Sequence, residues 1–320
     1  MQIKRKAGFE EFLAKYGIFF VFILMVIIAS IVSPVFLTSR NLVNIVRQIA
    51  TVTILACGQT ILLISGMVDL SAGSVLALSG IIAADIGIKT GSLSVALLAG
   101  LSIGAVTGLI NGFIITRFNL PPFIVTLAMM LSARGLILLY TNASIVTGLI
   151  KNFTFLGQGF ILHIPVPIII LASILILSWF LLNMTKFGQY IYAIGGNQQA
   201  SIAAGINVNK IKILAFMING LLVATAGIVM VARVNAGPPS EGVGYEFDAI
   251  IAAIVGGTSL YGGIGNIPGT LVGALIVQVL KNILTLTGVS PYLQMILTGV
   301  LIVGALILDM MTKKARIKKV

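Results

Sequence analysis

Residues 185–216, TKFGQYIYAIGGNQQASIAAGINVNKIKILAF, are the longest polar interruption in a chain that is otherwise mostly apolar. Gly195-Gly196 breaks the preceding segment, and Asn197 is well suited to cap a helix N-terminus. Gln198 to Ala204 then supply about two helical turns, and Gly205 supplies the stop. At ~1.5 Å per residue such a helix is only ~12 Å long, too short to persist alone in water, so it needs a surface to dock on. Ala200, Ala203 and Ala204 give it a face of small side chains. A plain surface loop needs no cap, stop or alanine face. Their coincidence reads as a docking element, placed in the one sizeable cytoplasmic opening, residues 185–211.

The rest of the chain supplies the membrane. With 58% hydrophobic and 9% charged residues and a mean hydropathy of +1.14, the composition is that of a polytopic membrane protein. A net charge of +12 suggests nucleic acid in a soluble chain, but here the basic residues cluster at the chain ends and beside apolar runs. The positive-inside rule accounts for them without nucleic acid. Cys57 and His163 are the single residues of their types, which excludes an intrachain disulfide and speaks against a metal site. Lys4-Arg5-Lys6 precedes an apolar run at 17–32 with no A-x-A-like cleavage site after it, so the run is expected to be a retained first span.

Spans of ~20 mainly apolar residues are expected near 17–34, 49–66, 71–88, 92–115, 122–141, 164–183, 212–234, 247–262, 267–287 and 292–309. Ten spans put both ends on one side of the bilayer. Lys4, Arg5, Lys6, Lys15, Arg117, Lys186, Lys210, Lys212, Lys313, Lys314, Arg316, Lys318 and Lys319 then lie inside. Arg40, Arg47, Lys89, Lys151, Arg233 and Lys281 lie outside, with Arg134 within or near the end of a span. Both termini are accordingly expected to be cytoplasmic. The spans of 49–141 begin outside and those of 212–309 begin inside, an arrangement of two inverted four-helix repeats. The expected fold is thus an all-α, single-domain membrane protein over 1–320.

Gly100, Gly104, Gly108 and Gly112 recur every fourth residue, as do Gly265, Gly269 and Gly273; this spacing brings helices into close contact. Two polar breaks, Ser65 to Ser74 and Gly256 to Gly265, interrupt apolar sequence. They are either turns between spans or non-helical backbone lining or gating a path, which a membrane tolerates only where it is buried in protein or faces water. GIGNIPG, 263–269, superficially matches a phosphate loop, but G-K-[ST] and a strand-to-helix context are missing, so nucleotide binding is rejected. Acidic residues are few, and only Asp69 sits in a polar break, whereas ion-driven carriers usually need intramembrane carboxylates with partners. Neutral groups such as Gln59, Asn111, Asn219, Gln278, Asn282 and Gln294 suit an uncharged, hydroxyl-rich solute better, although each alone is ordinary interhelical glue. The candidate path residues are Asp69, Ser71, Gly73, Ser74, Asn111, Gln278 and Asn282.

Across nearly its whole length the sequence resembles the permease subunits of bacterial binding-protein-dependent ABC importers for ribose and related monosaccharides. The stretches that carry the resemblance are FLTSRNLVNIVRQ (36–48), SGMVDLSAGSVLALSG (65–80), NLPPFIVTLAMMLSARG (119–135), YAIGGNQQASIAAGINVNKIKILAF (192–216), GGTSLYGGIGNIPGTLVGALIVQVLKN (256–282) and GVSPYLQMILTGVLIVGALILD (288–309). The resemblance implies a multi-pass permease in the bacterial cytoplasmic membrane that has no catalytic residue or cofactor of its own. Implied partners are a second copy or close paralogue, a cytoplasmic ABC ATPase that binds ATP and Mg, and an extracytoplasmic sugar-binding protein. It also implies that Gly196, Asn197, Gln198, Gln199, Ala200, Ser201, Ala203, Ala204 and Gly205 form the coupling helix received by the ATPase. The family motif G-G-I-D-L-S-V-G reads Ser65-Gly66-Met67-Val68-Asp69-Leu70-Ser71-Ala72-Gly73 here, and Gln198, Gln199 and Ser201 stand where a Glu and an Arg are usual. Other pentoses, hexoses, a signalling furanose and nucleosides are alternative substrates on the same scaffold. An ion-coupled carrier and a non-transporting membrane scaffold are the alternatives outside it.

Overall fold

The computed structural model describes the backbone of residues 2–317 and the side chains of residues 17–307, 309 and 310. The basic side chains Lys4 to Lys15 and Lys313 to Lys319 lie outside these. The helices run α1 Gln2–Val32, α2 Ser39–Ile64, α3 Ala72–Thr90, α4 Leu93–Phe118, α5 Pro122–Thr141 and α6 Lys151–Gln158. After a short hairpin, β1 Phe160–Ile161 and β2 Ile164–Pro165, come α7 Val166–Met184, α8 Lys186–Gly196, α9 Gln198–Ala203, α10 Val208–Val234, α11 Tyr245–Val255, α12 Ile267–Leu286 and α13 Pro291–Ile317.

Seven of these, α2, α3, α4, α5, α7, α10 and α12, are long and apolar enough to cross a membrane, and Gly17–Val32 and Pro291–Ile307 are shorter apolar helical stretches. The span expected at 247–262 is corrected. It holds only the 11-residue α11, ~17 Å of helix against a hydrocarbon core of ~30 Å. The reason is the stop at Gly256-Gly257, with Gly257 at φ +91°; the preceding segment, 235–244, turns back into the bundle. There Gly242 lies against the backbone of Gly73 at the start of α3, and Arg134 of α5 donates to the carbonyls of Pro239 at 2.7 Å and Glu241 at 2.9 Å. Residues 256–262 of the expected span are therefore spent on the second break and not on helix. The sequence reading also missed α6 and the hairpin, which lie against the end of α10: Gly157 packs on the backbone of Ala232 and Arg233, and the Gln158 amide donates to the Arg233 carbonyl at 3.0 Å.

The central helix is α2. Of its most apolar window 83% is buried, against 22% for α4 and α5 and 28% for α7, so those three present apolar faces outward. The glycine stripes set the spacing. Alanine at Gly104 would meet the Gly220 carbonyl of α10, at Gly108 the Phe216 carbonyl, and at Gly100 the Ala83 side chain and the Ser79 carbonyl of α3. In the second stripe Gly269 and Gly273 lie against the Gly256 and Ala252 carbonyls at the end of α11, while Gly265 belongs to the break rather than to α12. Close packing is what that spacing predicts.

Overpacking a tight helix contact costs about 1–3 kcal/mol. Gly104→Ala should therefore lower the thermal unfolding temperature of the detergent-solubilised protein, whereas Gly135→Ala, with open space at its Cβ position, should leave it unchanged. Equal melting of both variants would remove the stripe's packing role.

Candidate functional site

The polar stretch that first marks the sequence is a compact helical unit. The preceding segment ends at Gly195-Gly196, as expected: they are the last residues of α8, which runs from Lys186. Asn197 then caps α9, its Oδ1 accepting from the Ala200 N–H at 3.0 Å. At the other end the Gly205 N–H donates to Ile202 O at 2.9 Å and the Ile206 N–H to Ser201 O at 3.1 Å, with Gly205 at φ +81°; this is a Schellman closure. Ser201 turns inward, while Gln198, Gln199, Ala200, Ala203 and Ala204 are exposed and Ile202 is 50% exposed. Lys212 of α10 ties the unit down through Gln198 Oε1 at 2.7 Å. A six-residue helix thus presents a small-residue surface with one free aliphatic side chain.

Beneath this unit the two polar breaks meet. Each starts where a helix is stopped by a glycine with positive φ: Gly66 (+75°) after α2 and Gly257 (+91°) after α11. Both stops are Schellman closures, with Met67 N–H on Leu62 O and Thr258 N–H on Ala253 O, each at 2.9 Å. The freed Ile64 carbonyl at the end of α2 accepts from the Gly263 N–H of the second break at 2.7 Å. Gly195 of α8 sits against both groups, and any side chain there would strike them. The Tyr192 hydroxyl of α8 donates to the Gly265 carbonyl at 2.7 Å, and burial pushes its phenol above the ordinary value. Asp309 of α13 accepts from Ser259 Oγ at 3.2 Å and Leu260 N–H at 3.0 Å. One end of α8 is therefore hydrogen-bonded to the second break and packed on the end of α2 where the first begins.

The candidate path residues separate into two groups. Asp69 is buried, its carboxylate accepting from the Ser71 N–H at 2.8 Å, the Ser71 hydroxyl at 2.5 Å and the Asn219 amide at 2.7 Å. Asn111 donates to Ser71 Oγ at 3.2 Å, and Gln59 donates to the Asp69 carbonyl at 2.5 Å. This cluster stitches the first break to α2, α4 and α10. Gly73 and Ser74 continue it into α3, with Gly73 packed on the Glu246 carboxylate.

Gln278 and Asn282 lie elsewhere, on a cavity of about 210 Å³ between α2, α11, α12 and α13, walled also by Gln48, Asp248, Lys281 and Gln294. Gln278 donates to Gln48, Asn282 exchanges hydrogen bonds with Asn41 at 2.9 and 3.1 Å, and Lys281 pairs with Asp248 at 2.5 Å. The acid supply inside the bundle is thus larger than the sequence suggested. Besides Asp69, both Glu246 and Asp248 in the first turn of α11 are at most 5% exposed, because the re-entrant loop carries that turn inward. A signal was available: Gln278, Lys281, Asn282 and Thr285 recur at helical spacing within an apolar run and form one polar stripe.

Residues 41–306 match the family described as branched-chain amino acid transport system / permease component. The ribose import permease protein of Escherichia coli strain K12 is 46% identical over 292 residues, covering 90% of this chain and 91% of that protein. That of Bacillus subtilis strain 168 is 42% identical over 308 residues, covering 96% of each, and the L-arabinose transport system permease protein of E. coli strain K12 is 36% identical over 313 residues, covering 98% and 95%. No solved structure matches. A multi-helix apolar body, a matched region spanning most of it and relatives covered almost end to end lead to one assignment: the chain belongs to the branched-chain amino acid transport system / permease component family.

Proposed function

We propose that this chain is the membrane-spanning subunit of an ATP-driven ribose importer in a bacterial cytoplasmic membrane. The observation that carries the mechanism is the seating of α8, which leads directly into α9, against the end of α2 and its hydrogen bond to the second break. An ATPase that grips the exposed face of α9 would move Gly195 and Tyr192, and with them the end of α2 and the break that links α11 to α12. A displacement at one surface thereby becomes a rearrangement inside the bundle, as a bistable packed element allows. ATP and Mg would be held by the ATPase, and solute would be delivered from outside by a sugar-binding protein. A second copy or paralogue would complete the path.

Both termini are cytoplasmic if the loop 235–244 and α11 together make one crossing in place of the expected helical span, and the basic residues then put α9 on the ATPase side. Inverted repeats are supported by the parallel order of parts. A 26-residue α2, a re-entrant break and α3 correspond to a 27-residue α10, a re-entrant loop and α11, and the two returns meet at Gly73 and Gly242. The whole chain acts as one permease domain with 185–211 as its coupling segment. Ribose is favoured because relatives named for its import are 42–46% identical, whereas the arabinose relative is 36% identical. A second reading, an ion-coupled carrier, draws on the Asp248–Lys281 pair, whose carboxylate is buried.

Transport assays separate the two. In cells with the ATPase and binding protein, Ala203→Arg should abolish ribose uptake while the chain remains in the membrane, since Ala203 is exposed and its replacement crowds only a docked partner; wild-type uptake with this change would defeat the coupling role. Asp69→Asn turns an amide donor toward the donors of Ser71 or Asn219. It should cost about 1–3 kcal/mol, seen as a lower unfolding temperature, and should slow uptake severalfold. Unaltered melting and unaltered rates would leave the Asp69 cluster without a role in holding the break.

A further inference from the structure

Asp248 makes only half of the interactions its carboxylate offers. Its Oδ2 lies 2.5 Å from Lys281 Nζ, whereas its Oδ1 is buried with no hydrogen-bond partner. The residue is 3% exposed and lies on the wall of the cavity of about 210 Å³. A buried, unpaired carboxylate oxygen is costly, and the group it lacks is a donor. The other walls narrow the chemistry. Lys281 balances the charge of Asp248, so the cavity favours neither a cation nor an anion. Gln48, Gln278, Asn282 and Gln294 carry both donors and acceptors; the Gln278–Gln48 bond engages one atom of each, Asn282 is bonded both ways to Asn41 and Gln294 Nε2 donates to Val289 O and Thr285 Oγ1, which leaves the Gln48 amide nitrogen, the Gln278 oxygen and the Gln294 oxygen. Val52 and Tyr245 add an apolar side.

We propose that this cavity is a holding site for an uncharged polyhydroxylated solute, with Asp248 Oδ1 accepting a hydroxyl of the solute, the neighbouring amides exchanging further hydrogen bonds with it, and the C–H face of the ring resting on Val52 and Tyr245. This rests on the importer reading and extends it: the permease itself selects for a neutral polyol as the solute passes. Lys281 is a positioning residue that keeps the carboxylate charged and aimed.

The test is ribose uptake into proteoliposomes that hold this chain with its ATPase, at saturating ribose-loaded binding protein. Asp248→Asn should lower the maximal uptake rate about tenfold or more, the scale of one hydrogen bond to a charged group. The loaded binding protein should still be needed at the same concentration for half-maximal rate. The double variant Asp248→Asn/Lys281→Met, which removes the ion pair without leaving a lone charge, should stay slow. Recovery of uptake in the double variant would make the pair a structural tie and overturn the proposal. Gln278→Met changes no charge and little volume, so it carries the test if the Asp248 variants fail to reach the membrane. A severalfold loss supports the site, and an unchanged rate overturns it. Absence of ATP-dependent uptake by the wild-type assembly would remove the importer reading itself, and this site with it.

Discussion

The hydrogen bond from the Gly263 N–H to the Ile64 carbonyl, 2.7 Å long, expresses the constraint on which the fold rests. A chain in hydrocarbon must satisfy every backbone group internally, so helices are broken only where protein covers the break. This chain breaks two buried helices and lets each break supply what the other lacks. The carbonyl exposed by stopping α2 at Gly66 is met by the loop that follows α11, and α8 closes over both through Gly195 and Tyr192. Small residues are required at this junction because three backbones converge there. The glycine stripes of α4 and α12 extend the same economy of space outward, holding α10 and α11 at backbone contact.

From that junction the functional parts follow in order. The exposed α9 stands on one side of it, and the Asp69 cluster and the polar cavity stand on the other. An ion pair with one buried partner, such as Asp248–Lys281, contributes little net stability, because desolvation of the carboxylate offsets its attraction. Its presence among apolar helices therefore points to use rather than to cohesion. The Asp69 cluster is different: its carboxylate is satisfied on both oxygens by Ser71 and Asn219, which suits a fastening of the re-entrant segment better than a place for solute.

What could be read directly from the sequence was local. Asn197 as cap, Gly205 as stop and the alanine face between them need only neighbouring residues, and all three are found as expected. The glycine stripes also announced their packing. The 247–262 span was misjudged because apolar composition does not report length of helix, and Gly257 ends α11 early. The bond between Asp69 and Asn219 joins residues 150 positions apart, and the meeting of the two breaks depends likewise on tertiary packing. The cavity lay between these extremes. Its stripe on α12 was legible at helical spacing, but its partners Gln48 and Asp248 come from distant elements and only the fold brings them together.

The central claim is that α9 is the handle of an ATP-driven machine, and the most direct measurement is purification of this chain from its native membrane in mild detergent, followed by an assay of ATP hydrolysis and identification of its companions. The account predicts a co-purifying ATPase whose hydrolysis rises when ribose-loaded binding protein is added. A chain that emerges alone from several detergents, without ATP hydrolysis, and whose solute uptake collapses with the proton gradient would contradict it.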